Sequence, residues 1–183
     1  MKIFSKLVST ILGSSLLFFT PSLEAKASDG HEELWDTLQQ VGITIVVNNT
    51  PHCREGTISG AYLPMDRTLI VCQDNRGPFT TKQIAWTRND LDTLRHEAHH
   101  VVQDCLEGGM GDGYARPMFD DKQEFNQFVQ SALNMAQIDN IIESYRRYGA
   151  TDHVVLLELE AFAVAKDIDP ELIADAIMNL CYP

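Results

Sequence analysis

The feature that most constrains how this chain can fold is the stretch from Leu91 to Cys105, LDTLRHEAHHVVQDC. Wound as a helix at about 100° per residue, it gathers Leu91, Leu94, Ala98, Val101, Val102 and Cys105 on one face. His96 and His100 lie on the opposite one. Residues four apart share a face, so both imidazoles point the same way, with Glu97 one step round. Asn89 or Asp90 suits the N-cap, and Gly108–Gly109 stops the helix. Such a helix packs by its apolar side and offers its histidines from the other. The plainer alternative is a solvated His/Glu face on a surface helix.

The segments around it set the fold class. The stretch 29–42 has Leu34, Leu38 and Val41 at helical spacing and ends at Gly42. Residues 43–49, ITIVVNN, form a continuous β-branched run that predicts a buried strand. TISGAYL and TLIVC flank PMDR, which signals a hairpin. Residues 110–121 are irregular. Phe125, Phe128, Val129, Leu133, Ile138, Ile141 and Ile142 predict one or two helices over 122–149. A further helix begins at Thr151 or Asp152, and a last one has Pro170 in its first turn. This order predicts an α+β fold: a small antiparallel or mixed sheet on the N-terminal side, the histidine helix, then a helical C-terminal half. At 183 residues, one domain is expected.

The N-terminal segment stands apart. Lys2 and Lys6 precede an apolar run from Leu7 to Phe19, and AKA stands at Ala25–Ala27. This is the pattern of a secretory signal peptide cleaved after Ala27, leaving a domain of residues 28–183. The run is about a dozen residues against about 20 for a spanning helix, and Pro21 breaks the segment before the cleavage site. No later run approaches spanning length, so a secreted or periplasmic protein without a membrane span is expected, taken here as a monomer. Residues 1–27 carry three lysines and one glutamate, a net of +2, so the whole chain's −12 leaves −14 for the remainder. That acidity argues against nucleic acid and anionic membrane as partners. Four cysteines in an exported chain favour two disulfides. Of the three pairings, Cys53–Cys72, which flank one β-like segment, and Cys105–Cys181, which would tie the chain's end to the histidine helix, are preferred. A cysteine-ligated zinc site would need CxxC-type spacing, which this chain lacks.

His96-Glu97-Ala98-His99-His100 fits H-E-x-x-H. Two histidines at i and i+4 can hold Zn²⁺, and the glutamate beside them can reach a water on that ion and act as general base. His99 could substitute as a ligand, but the i, i+4 pair has the better geometry, so His99 is read as packing beside the site or supporting it. A third ligand is needed. The pattern H-E-x-x-H-x-x-G-x-x-H fails, because Gln103 replaces the glycine and Glu107 lies near the place of the last histidine. The remaining source is the segment LLELEAFAVA, with Glu158 and Glu160 on an otherwise apolar run. They point about 200° apart, so only one can face the ion. Ala161 and Ala165 beside Glu158 permit a close helix approach, whereas Leu156, Leu157 and Val164 crowd Glu160. Packing therefore favours Glu158. Exposure of both, or pairing with Arg146 or Arg147, is the ordinary alternative.

These residues resemble the gluzincins, the thermolysin-like zinc metallopeptidases, which place H-E-x-x-H on one helix and a glutamate on a later one. Glu158, Ala161 and Ala165 are similar to the second motif E-x-x-A-[DN]-x-x-A of short gluzincins. Phe162 departs from it, and because the polar residue there often orients a histidine ligand, another group has to do so here. The resemblance spans about Gly56–Lys166. It implies a zincin-like fold with a hairpin edge strand beside the helix, GAYLPMDRTLIVC standing at that place, and an exported zinc-dependent peptide-bond hydrolase acting on a peptide or protein. It implies His96, His100 and Glu158 as zinc ligands and Glu97 as general base. Tyr114, Tyr145, Tyr148 and His153 are candidate oxyanion donors, with none preferred. The alternatives are a non-catalytic secreted binding module with a structural or vestigial zinc site, and a metal-independent helical protein held by disulfides.

Overall fold

The computed structural model describes residues 30–55, 58–77 and 79–182. The signal-peptide expectation falls on residues 1–27, and the proposed helix and hairpin starts fall on Asp29 and Thr57; all of these lie outside the described residues. Among the described residues there are seven α-helices and three strands, in the order α1 (His31–Gln40), β1 (Thr44–Val47), α2 (Pro51–Glu55), β2 (Gly60–Leu63), β3 (Thr68–Val71), α3 (Arg88–Glu107), α4 (Lys122–Ala132), α5 (Met135–Arg147), α6 (Asp152–Asp167) and α7 (Pro170–Cys181). This is an α+β fold with a mostly helical C-terminal half. No described helix is long and apolar enough to cross a membrane.

The sheet is mixed, in the order β1-β3-β2. β1 runs parallel to β3, and β2 pairs antiparallel with β3 through a turn that includes Pro64–Asp66. The hairpin expected around PMDR is therefore present. β1 was expected as a buried strand, yet Thr44 is exposed and Ile45–Val47 are half-buried, because β1 is an edge strand with one neighbour. The short α2 carries no periodic signal and was not anticipated. Gly42, at φ +89°, ends α1 as expected and turns the chain into β1.

α3 is the central element. Leu94, Ala98, Val101 and Val102 enter the main core with Leu34 and Leu38 of α1, Leu69 and Val71 of β3, and Ile173, Ala174 and Ile177 of α7. Its N-cap is Thr87, not Asn89 or Asp90. Thr87 accepts from the Asp90 N–H while Asp90 accepts from the Thr87 N–H, a reciprocal box that only a residue three positions upstream of Asp90 can close. α4 and α5 are separate helices, divided at Asn134, which caps α5 with Gln137. They pack on α6 through Phe125, Val129, Ile138, Val155 and Leu159. Thr151 caps α6, one of the two residues expected. Both preferred disulfides are present: Cys53–Cys72 joins α2 to the end of β3, and Cys105–Cys181 joins the last turns of α3 and α7.

Candidate metal centre

α6 packs against α3, and Val164 of α6 joins the main core. Ala161 is fully buried, and this close packing lets carboxylates on α6 reach imidazoles on α3. His96 Nε2 and His100 Nε2 lie 3.1 Å apart. Glu158 Oε2 stands 3.1 Å from His96 Nε2, and Glu158 Oε1 stands 3.6 Å from His100 Nε2. Four ligands at about 2.0–2.1 Å around a tetrahedral ion are separated by about 3.3 Å. The three side chains are thus spaced as ligands of one such ion would be. Two facing imidazole nitrogens and a carboxylate, all largely buried, also form a donor set that a divalent cation satisfies. Glu97 brings its carboxylate into the same group: one ligand atom each from His96, Glu97 and His100 lies within 4.8 Å of the others, a cluster that could hold a metal ion. Glu158 approaches the imidazoles more closely than this, and Glu97 is turned toward β2.

The expectation of an open histidine face is corrected here. His96 and Glu97 are only 7 % and 6 % exposed, because β2 and α6 pack against that side of α3 and leave the two side chains at the wall of a cleft that α5 faces. Glu160 is fully buried and Glu158 is largely so, and neither pairs with an arginine. Arg146 bonds Asp152 and Arg147 bonds Glu143 instead.

The environment tunes the charges. Burial works against ionised Glu158, but hydrogen bonds and the fields of His100 and His96 hold its carboxyl well below the usual range. Burial also works against charged His100, yet Glu158, with Glu97 and Gln103, pushes it up to about 9. Glu97 moves the other way. Burial raises its carboxyl, the Glu158 charge adds to this, and His96, His100 and the Tyr62 N–H oppose without reversing it. Two carboxyl groups on one site are therefore shifted in opposite directions, Glu158 down and Glu97 up.

Glu97 and His96 border a cleft of about 650 Å³, lined also by Ser59, Gly60, Thr93, Tyr145 and Phe162. Cys72 N–H donates to Ser59 O, which sets the pairing so that Gly60 and Tyr62 turn their backbone groups to the free edge of β2. The Tyr62 N–H reaches Glu97 there. Gly60 packs so tightly that a Cβ would lie 2.7 Å from Glu97 Oε1 and 2.6 Å from Thr93 Cγ2.

Several contributors were not evident from the sequence. Gln103, noted there only for breaking a pattern, is fully buried and bonds His100 Nδ1 at 2.7 Å. Glu160 bonds His99 Nε2 at 3.0 Å, so His99 supports the α3–α6 contact and does not approach the other two imidazoles' site. Phe162 rests on His96, ring centroids 4.4 Å apart, and His96 Nδ1 has no hydrogen-bond partner among the described residues. Packing, not a polar group, fixes that ring. Of the candidate oxyanion donors, Tyr145 lies in the cleft near Glu158. Burial, and then that carboxylate, raise its pKa. Tyr148 lies at the cleft too but is 88 % exposed. Tyr114 is exposed and does not line the cleft, and His153 bonds Ala115 O at 2.8 Å. Only Gly60, a glycine inside a strand pattern, gave a sequence signal of close backbone approach. Comparison with known protein families, curated proteins and solved structures finds no match.

Proposed function

We propose that this chain is an exported, zinc-dependent peptide-bond hydrolase of zincin-like fold and gluzincin type. His96, His100 and Glu158 hold the ion, and Glu97 is the general base. The observation that carries this reading is the spacing of the three ligand side chains, 3.1, 3.1 and 3.6 Å, with a second carboxylate, Glu97, at the cleft wall beside them. A zinc ion supplies Lewis acidity to water and to a carbonyl. Glu97 takes the proton of the attacking water and delivers it to the departing amine. Burial raises its affinity for that proton, which suits a group that must both accept and return it. Tyr145 is the donor best placed for the developing oxyanion. A peptide lying along the outer edge of β2 meets Gly60, where the lack of a side chain lets the strand press against Glu97.

Two disulfides favour an oxidising compartment, in keeping with a signal peptide over residues 1–27 and a single domain over 28–183 that works as a monomer on a peptide or protein substrate. The test compares metal content and peptide-library hydrolysis of the protein with those of Glu97→Gln. Zinc in both, with cleavage lost from the variant by about 10²–10⁴-fold, is the expected result. A correctly refolded, disulfide-bonded protein that binds no zinc would refute the proposal.

A further inference from the structure

The second glutamate of the LLELEAFAVA segment has no part in the proposed ion site, yet it is fully buried, and among the described residues its one ion-pair partner is the ring of His99, whose charged form burial disfavours. Its oxygens are filled from outside. Met118 N–H donates to Oε1 at 2.8 Å and also approaches Oε2 at 3.1 Å; Gln103 Nε2 reaches Oε2 at 2.7 Å and His99 Nε2 at 3.0 Å. A carboxylate so surrounded acts only as an acceptor. Gln103 is therefore the donor toward Glu160. Its other amide proton goes to Leu157 O at 3.0 Å. Both protons are committed, so the amide cannot flip without setting oxygen against oxygen at two places. Gln103 Oε1 is left facing His100 Nδ1 at 2.7 Å, where it can only accept.

We infer that Gln103 and Glu160 are positioning residues, a buried relay that keeps a proton on His100 Nδ1 and turns His100 Nε2 toward Glu158. Glu160 orients the amide, the amide orients the ring, and neither touches the ion or a substrate. The relay takes the place of the polar residue that Phe162 displaces. It also ties the loop at Met118 to the ring, through the Met118 N–H. Its link to catalysis rests on the proposed zinc site; its structural core does not.

The test uses ¹⁵N-labelled protein and two variants. Gln103→Met keeps volume and removes the acceptor. The double variant Gln103→Glu/Glu160→Gln keeps an acceptor at His100 and a hydrogen bond between the pair with donor and acceptor exchanged; the buried new acid stays protonated to donate to Leu157 O, and His99 takes its other tautomer to accept from the new amide. In metal-free protein, the His100 Nδ1 proton is expected as a slowly exchanging resonance, lost in Gln103→Met and kept in the double variant. Cobalt(II) affinity, read by absorption titration, is expected to fall about 10–100-fold in Gln103→Met and to recover in the double variant. A folded Gln103→Met that keeps the protected proton, or keeps full cobalt affinity, overturns the inference. So does a folded double variant that loses the proton, which decides the matter if Gln103→Met fails to fold. Wild-type protein that shows the protected proton but binds no cobalt would sink the zinc reading and leave the relay standing.

Discussion

Gly60→Ala is the sharpest perturbation of the proposed catalytic geometry. The added methyl would lie 2.6 Å from Thr93 Cγ2, 2.7 Å from Glu97 Oε1 and 2.9 Å from Glu97 Cγ. Carbon atoms settle at about 3.5–4.0 Å, so the overlap with Thr93 is about 1 Å. Thr93 is β-branched on a helix and cannot swing aside freely. Either β2 retreats or Glu97 turns away, by about 1 Å in each case. Misplacement on that scale costs about 10²-fold in rate, or about 2.7 kcal/mol. Overpacking lowers stability by about 1–3 kcal/mol. The variant should keep the proposed metal, because the atoms nearest the added methyl belong to Thr93 and Glu97 and not to His96, His100 or Glu158. The assay is kcat/KM on a cleaved peptide, with metal content and thermal unfolding measured alongside. Adding Thr93→Ser removes the methyl clash and should restore stability without restoring rate, since Glu97 stays displaced. A Gly60→Ala protein with unchanged kcat/KM and unchanged Tm would refute both the packing argument and the placement of Glu97 at the reacting centre.

Two further predictions concern the metal-free protein and the oxyanion donor. His100, raised to about 9 when folded, contributes stability that is fully present below its unfolded value of about 6.5 and disappears as pH climbs through 9. Chelator-treated protein should therefore lose Tm across that window while zinc-loaded protein does not, and zinc binding near pH 7.5 should release a proton measurable by calorimetry in buffers of different ionisation heat. Equal pH profiles with and without zinc would contradict this. Tyr145→Phe should leave metal content unchanged and lower kcat by about 10²-fold with KM little altered, the signature of a contact made in the transition state; a drop confined to KM would assign Tyr145 to substrate binding.

The elements around α3 could be read from the sequence because each rests on local chemistry. The Leu/Ala/Val stripe of α3, the PMDR turn and Gly42 act within a few residues of themselves. Helical periodicity set His96 and His100 on one face, and the packing argument from Ala161 and Ala165 turned Glu158, not Glu160, toward them, which is where it lies. What stayed hidden depends on partners far along the chain. The Thr87–Asp90 box was missed because Asn89 and Asp90 look like caps in isolation. Gln103 sits 54 and 57 residues from Leu157 and Glu160, and nothing local marks it as a pivot. The burial of His96 and Glu97 reflects β2 and α6 packed against a helix whose own pattern suggests one covered face.

The disulfide between Cys105 and Cys181 closes a covalent ring that contains Glu158 and begins just beyond the two histidines. A cut anywhere in the segment 108–121, where Tyr114 stands exposed, would sever the peptide path from His100 to Glu158 but not the molecule. The two halves of the site would remain one covalent body, held further by the α3–α6 contact. Under the proposed peptidase activity, this staple would let a chain nicked by its own kind keep both halves of the His96, His100 and Glu158 site.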